Sequence, residues 1–162
     1  MGIKTSRRGF TLLIAVIFMS VMLSLGLALS SLGYKQEVLA SSAIESQYAF
    51  YAADAALECA LYADQQQNLF AYDENLSAAT PTMTCDGSIP ISATTLSHTL
   101  SQWVTTSRLS LDSGKRCADV TIYKPNGAGT NYLFSQGYDV ACSVVASPGA
   151  ARYVARGLEA QY

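Results

Sequence analysis

Few residues in this chain could carry out covalent or acid–base chemistry. His98 is the single histidine, and no carboxylate lies beside it in the sequence, so it has no adjacent partner for proton transfer. The chain contains no phosphate-binding loop, nucleophile elbow, HExxH zinc motif or dinucleotide fingerprint. We therefore expect a protein that is not an enzyme and that needs no cofactor. The remaining reactive residues are Cys59, Cys85, Cys117 and Cys142.

The four cysteines fit disulfide bonds better than a metal site. An even number of cysteines in a short exported domain is typical of a disulfide framework. A zinc site usually needs closely spaced ligands, and the chain has no Cys-x-x-Cys pair. We therefore predict no metal site. Four cysteines allow three pairings, and four reduced, buried cysteines are the alternative.

The elements that position these residues begin with an uncharged stretch, residues 10–34. As a helix it would span roughly 37 Å, more than the hydrocarbon core of a bilayer, about 30 Å. Backbone groups in lipid must satisfy their own hydrogen bonds, so we expect a transmembrane helix. Lys4, Arg7 and Arg8 precede it, which predicts a cytoplasmic N-terminus and a head outside the membrane.

Residues 35–63 predict a continuation of that helix. They contain no glycine or proline, and apolar residues recur at helical spacing between acidic ones, as in an amphipathic helix. One helix over residues 10–63 would be roughly 80 Å long. The alternative is a membrane anchor followed by a separate helix, with the break at Gly26 or Gly33.

Residues 64–162 predict a globular head that begins with a loop-rich segment, 64–94. Several later runs alternate apolar and polar residues, and short loops separate them. Consecutive strands joined in this way make an antiparallel meander, which we expect to pack on the amphipathic half of the helix in an α+β fold. The expected strands are 104–111, 117–124, 131–142 and 152–161.

The meander favours one pairing of the cysteines. If the loop at 126–129 closes a hairpin, Cys117 lies near residue 138 and therefore near Cys142. Cys59 then pairs with Cys85 and ties the loop-rich segment to the helix. A bridge between Cys59 and Cys117 would contradict this layout.

The N-terminal junction carries a resemblance to a known family. In Arg7-Arg8-Gly9-Phe10-Thr11-Leu12-Leu13, basic residues, a glycine and a phenylalanine stand directly against the apolar stretch. This segment resembles the class III signal of type IV pilins and pseudopilins. The resemblance implies that a prepilin peptidase removes residues 1–9 as a leader by cutting after Gly9, and that the new N-terminal Phe10 is methylated. A secretory signal peptide and a permanent signal anchor are the other interpretations.

Two further segments resemble minor pilins. Residues 47–58 resemble a Gln-Ala-…-Ala-Glu-Ala-Gly-Leu-Glu segment found in many minor pilins, with Asp54 where Glu is commoner and Ala56 where Gly is commoner. The tail around 134–138 and 152–159 is similar to the group's final hairpin. Asp54 and Glu58 lie four residues apart and share a helix face, where they either pair with a basic residue or form a solvated acidic face. The candidate partners are Arg152 and Arg156.

Ile14 departs from the pattern of major pilins, which usually carry Glu at mature position five. That Glu meets the N-terminal ammonium of a neighbouring subunit in the apolar filament core, where an unpaired ammonium is costly. The resemblance therefore implies a minor, tip or initiating subunit of a type IV pilus or a type II secretion pseudopilus. It would sit in the cytoplasmic membrane and then in a surface filament. The alternative is a signal-anchored domain outside the cytoplasm that never polymerises and binds an envelope partner or ligand.

The partners that follow are other pilin subunits, the prepilin peptidase, the membrane and the assembly machinery of the inner membrane. Nucleic acid is a poor candidate, because the net charge is −2 and falls to −5 without residues 1–9. Phosphate contacts need clustered Lys and Arg. A local patch of Lys115, Arg116 and Lys124 is the exception to consider.

Overall fold

The structure is a computed structural model that describes residues 8–72, 80–85, 87 and 90–162. It divides into two compact units, one that ends at Ser42 and one that runs from Ala43 to Tyr162. The second unit includes the later turns of the first helix as well as the sheet.

The first element is a single helix, α1 (Arg8–Gln65). The glycines at 26 and 33 do not break it, and a Cβ built on either would meet nothing within 4 Å. After Gln65 the backbone turns at Asn68, which has a positive φ of 52°. The amide of Leu69 donates to the carbonyl of Ala63, so an otherwise unpaired carbonyl of the last turn is satisfied.

The described residues of the head form two antiparallel sheets. The larger one has five strands in the order β3-β4-β5-β6-β7, which is a meander, and the smaller one pairs β1 with β2. A short helix, α2, lies between β6 and β7. The bounds are β1 Thr82–Met83, β2 Ile91–Ser92, β3 Thr94–His98, β4 Gln102–Leu111, β5 Arg116–Pro125, β6 Tyr132–Tyr138, α2 Cys142–Ala146 and β7 Ala155–Gln161.

The strands agree with the sequence in the centre of the sheet and differ at its edges. The predicted run 131–142 ends at Tyr138, and the last predicted strand begins only at Ala155. The edge strand β3 follows the loop-rich segment, in a stretch where the sequence predicts no strand. Most of its side chains are exposed and its pairing with β4 is irregular, so it has no alternation to detect.

The core lies between the sheet and the second part of α1. Seven residues of α1 that are mostly alanine bury one face of the helix, and their small size lets the helix approach the strands closely. Ser135 on β6 is fully buried and its hydroxyl donates to the Ala53 carbonyl at 2.8 Å. The buried apolar residues of the helix are Ala49, Ala52, Ala53, Ala56, Leu57, Ala60 and Ala63.

Two disulfides tie the outer parts of the head to this core. Cys59 on α1 bonds to Cys85, next to the small sheet, and Cys117 on β5 bonds to Cys142 at the start of α2. These are the pairs that the meander favoured. The molecule therefore has an α+β fold in which a long N-terminal helix carries a small antiparallel sheet on its later turns.

Candidate functional site

The first candidate site is the apolar segment of α1. Every described side chain from Phe10 to Ser42 is exposed. This segment is long and apolar enough to cross a membrane, and 0% of its most apolar window is buried. The core helix of a soluble protein can have the same length and composition, but such a helix would be covered by its own chain. The segment is therefore uncovered apolar surface of the size that a membrane span requires.

Three serines in this segment pair their hydroxyl groups within the helix. Ser20, Ser24 and Ser31 each donate to the carbonyl three residues earlier, at 2.8, 2.8 and 2.9 Å. A hydroxyl paired within its own helix avoids most of the cost of placing a polar group in hydrocarbon. The helix can therefore lie in lipid or against other apolar helices without new polar partners for these side chains.

The residues of the predicted processing site lie at the start of α1. Gly9 belongs to its first turn, and the side chain of Phe10 is 72% exposed. Ile14, at the predicted mature position five, is also uncovered, with 47% of its side chain exposed. Lys4 and Arg7 lie outside the described residues. Cleavage, methylation and the direction of the helix across a membrane stay predictions.

The ion pairs proposed for Asp54 and Glu58 do not form. No salt bridge joins either carboxylate to Arg152 or Arg156 in the described part of the chain. Glu58 is exposed and Asp54 is half-buried, which matches the alternative of an acidic helix face.

The register of the sheet explains why this pairing fails. Arg156 pairs with Gly137, which lies under Ala49 and Ala53, so the arginine meets α1 near the start of the head. There its Nε donates to the hydroxyl of Ser46 at 2.7 Å. Ser46 precedes Asp54 by about two helical turns.

A buried ion pair lies at the other end of the head, near the end of α1. Asp64 is 3% exposed, and its Oδ2 accepts hydrogen bonds from Lys124 Nζ at 2.6 Å and from the Tyr162 hydroxyl. Sequence reasoning missed this site, because Asp64 and Lys124 are 60 positions apart.

The same contact removes the basic patch suggested by the sequence. Lys124 lies at one end of β5 and Arg116 at the other, roughly 27 Å away for eight residues of strand. Lys124 is neutralised by Asp64, and the guanidinium of Arg116 lies 4.2 Å from the centre of the Tyr48 ring. The three basic residues therefore form no continuous surface for phosphates.

A second candidate site is a cleft on the outer face of the large sheet, the face turned away from α1. Arg108 donates to both carboxylate oxygens of Asp119, from Nε at 2.6 Å and from Nη2 at 2.7 Å, and the Tyr138 hydroxyl donates to Asp119 at 3.2 Å. The cleft encloses about 450 Å³. It is lined by Thr94, Thr106, Arg108, Asp119, Thr121, Phe134 and Gln136.

The electrostatics of the cleft follow from these contacts. The hydrogen bond to Asp119 raises the pKa of Arg108 above its ordinary value. Burial, and then the negative charge of Asp119, raise the pKa of Tyr138. Sequence reasoning did not single out these residues, although a turn at 112–115 between two strands places position 108 opposite position 119.

The described residues offer no metal centre: among residues 8–72, 80–85, 87 and 90–162, no group of three or more His, Cys, Asp or Glu could hold an ion. All four cysteines are in disulfides. His98 stacks on buried Trp103 with ring centres 5.2 Å apart.

No protein-family model, curated protein or solved structure matches this chain. The resemblance to type IV pilins and pseudopilins therefore depends on the motifs in the sequence. The architecture, a long apolar N-terminal helix with a small antiparallel sheet packed on its later turns, is consistent with a pilin-like fold.

Proposed function

We propose that this chain is a minor structural subunit, at the tip or as an initiator, of a type IV pilus or a type II secretion pseudopilus. The observation that supports this most is the uncovered apolar segment of α1, which leads in the same helix to a folded head. Such a helix is stable in lipid, and it can also bundle with similar helices, since its exposed surface is apolar throughout.

During assembly the helix exchanges contacts with lipid for contacts with the helices of other subunits. The leader, residues 1–9, is removed on the cytoplasmic side of the membrane, and Phe10 becomes the methylated N-terminus. The segment that begins at Phe10 then leaves lipid and packs against the helices of other subunits. No bond is made or broken by this protein; the peptidase and the assembly machinery of the inner membrane act on it.

Ile14 supports the minor or tip role. When the N-terminal ammonium of one subunit enters an apolar filament core, it is stabilised by a carboxylate of its neighbour. Ile14 provides no carboxylate, so this chain is a poor neighbour for a subunit that joins after it. One copy at the end of a filament avoids that cost.

Co-expression with a prepilin peptidase tests the proposal. We expect the chain to lose the mass of residues 1–9, and Gly9→Val to block that loss while Gly2→Val, a matched change inside the leader, leaves it intact. A full-length chain in every case would favour the signal-anchored surface domain and would overturn the proposal.

A further inference from the structure

The outer cleft is built from side chains that the sheet register places in two rows. In the first row Thr94, Thr106 and Thr121 are successive partners across β3, β4 and β5, and Phe134 continues the row on β6. In the neighbouring row Arg108, Asp119 and Gln136 are partners in the same way. Three hydroxyls, one ring and three planar polar groups therefore share one face of the sheet.

Several of these groups are held in place before any ligand arrives. Asp119 receives two hydrogen bonds from Arg108 and one from Tyr138. Thr106 donates to the Val120 carbonyl at 3.1 Å. Ordered groups lose little conformational entropy on binding, which favours affinity.

Gly157 makes room for the ring of Phe134. A Cβ at position 157 would lie 3.1 Å from two ring atoms, so the ring occupies the space that a side chain on β7 would take. The phenyl group therefore lies against the sheet at the end of the threonine row.

Two sets of contacts order the segment that follows β6, next to Tyr138. The bond between Cys117 and Cys142 holds α2 against β4 and β5. The ring of Tyr153 meets the ring of Tyr138 with centres 5.7 Å apart, and the Val154 amide donates to the Asp139 carboxylate at 2.8 Å. The contact with Tyr153 helps to hold the ring of Tyr138, whose hydroxyl donates to Asp119.

The charges in the cleft compensate each other. The guanidinium of Arg108 is committed to Asp119 through two bonds, so neither an anion nor a cation finds an unpaired opposite charge. The polar groups of the cleft that have no partner are therefore available for hydrogen bonds to a neutral ligand. An ionised carboxylate has about four acceptor positions, and three on Asp119 are occupied. The side-chain amide of Gln136 has no hydrogen-bond partner among the described residues.

We propose that this cleft binds a neutral saccharide. The amide of Gln136 and the free acceptor position of Asp119 can bond adjacent sugar hydroxyls, and the threonine hydroxyls can serve as donors or acceptors for others. The ring of Phe134 offers an apolar surface for the C–H face of the sugar. A concave site with convergent polar groups that fix the orientation of a ligand is a common feature of small-molecule sites.

A glycan array tests this with the full chain in a zwitterionic detergent that has no sugar headgroup. The array carries neutral glycans together with sialylated and sulfated ones. We expect binding to neutral glycans and affinity about tenfold weaker for Gln136→Ala, which corresponds to the loss of one or two hydrogen bonds. Gln161→Ala is the matched control, because Gln161 is exposed on the edge strand and does not line the cleft.

Three outcomes would overturn the proposal: no binding to any glycan, binding only to the charged glycans, or equal binding by Gln136→Ala and the native chain. Fluorescence of Trp103, the single tryptophan, checks that each variant is folded, since that side chain is buried. Because the assay uses isolated chains, its result is independent of whether the protein enters a filament.

Discussion

A side-chain carbon added to Gly137 would lie 2.3 Å from the backbone nitrogen of Ala53 and 2.2 Å from the carbonyl oxygen of Ala49. No rotamer change relieves such a contact, because all the atoms involved are backbone or Cβ atoms. Gly137 on β6 and the alanines of α1 are therefore complementary, and this complementarity sets the distance between the helix and the sheet.

Gly137→Ala should therefore destabilise the head. We expect a loss of about 1–3 kcal/mol in the free energy of unfolding, the usual range for inserting a carbon into a packed core. Urea titration of the full chain in detergent, followed by Trp103 fluorescence, measures it. Gly157→Ala is the control: its new carbon would meet only the movable ring of Phe134, at 3.1 Å, and should cost less than about 1 kcal/mol. If Gly137→Ala and Gly157→Ala lost the same amount of stability, the close approach of helix and sheet at Gly137 would not matter for the stability of the head.

Asp64→Asn should cost more than the loss of an exposed ion pair. Lys124 has only 14% of its side chain exposed, so removing its partner leaves a nearly buried charge, at about 3 kcal/mol. Breaking the exposed pair with Arg108→Gln should cost about 1 kcal/mol or less. The double variant Asp64→Leu with Lys124→Met should recover part of the loss, because it leaves no lone charge. Unfolding by urea compares the three, and an Asp64→Asn chain as stable as native would contradict the role of this pair.

Tyr138 should make the stability of the head depend on pH in the alkaline range. Burial and Asp119 raise its pKa above 10.0, so the folded state holds the phenol proton more tightly than the unfolded chain does. This contribution is complete below about pH 10 and is lost as the pH rises through the folded pKa. The advantage of the native chain over Tyr138→Phe should therefore shrink as the pH rises above about 10. Tyr51→Phe, at an exposed position, should leave the pH profile unchanged. A difference in stability between the native chain and Tyr138→Phe that stays the same at every pH would contradict this expectation.

Ile14→Glu should change how the chain enters filaments. A carboxylate at mature position five can meet the ammonium of the next subunit, so we expect more copies per filament and copies away from the tip. Ile17→Glu places the same carboxylate about one turn further along, where it has no ammonium to meet, and should not raise the copy number. Quantitative mass spectrometry and immunogold labelling of sheared filaments give both readouts. Unchanged copy number and position for Ile14→Glu would remove the support for a tip role.

The elements whose patterns are local could be predicted from the sequence. The uncharged run of 25 residues and the absence of glycine and proline after it predict one long helix, and the turn at 112–115 gives the register of β4 with β5. The same local hairpins bring Cys117 near Cys142. Such features depend only on residues that are close together in the sequence.

Contacts between distant segments could not be predicted in the same way. Arg156 binds Ser46 across 110 positions, and nothing in the local pattern distinguishes that hydroxyl from the acidic side chains further along the helix. The buried position of Asp64 depends equally on the docking of helix and sheet. The cleft requires the register of four strands at once, so its residues look like ordinary exposed positions of separate strands.

The most direct test of the central claim is the N-terminal mass of the chain recovered from sheared surface fibres or from their assembly complexes. We expect a chain that begins at N-methylated Phe10, with residues 1–9 absent. A chain that still begins at Met1, begins at any other residue, or is recovered only from the membrane fraction would contradict the claim that this helix leaves lipid to join a filament.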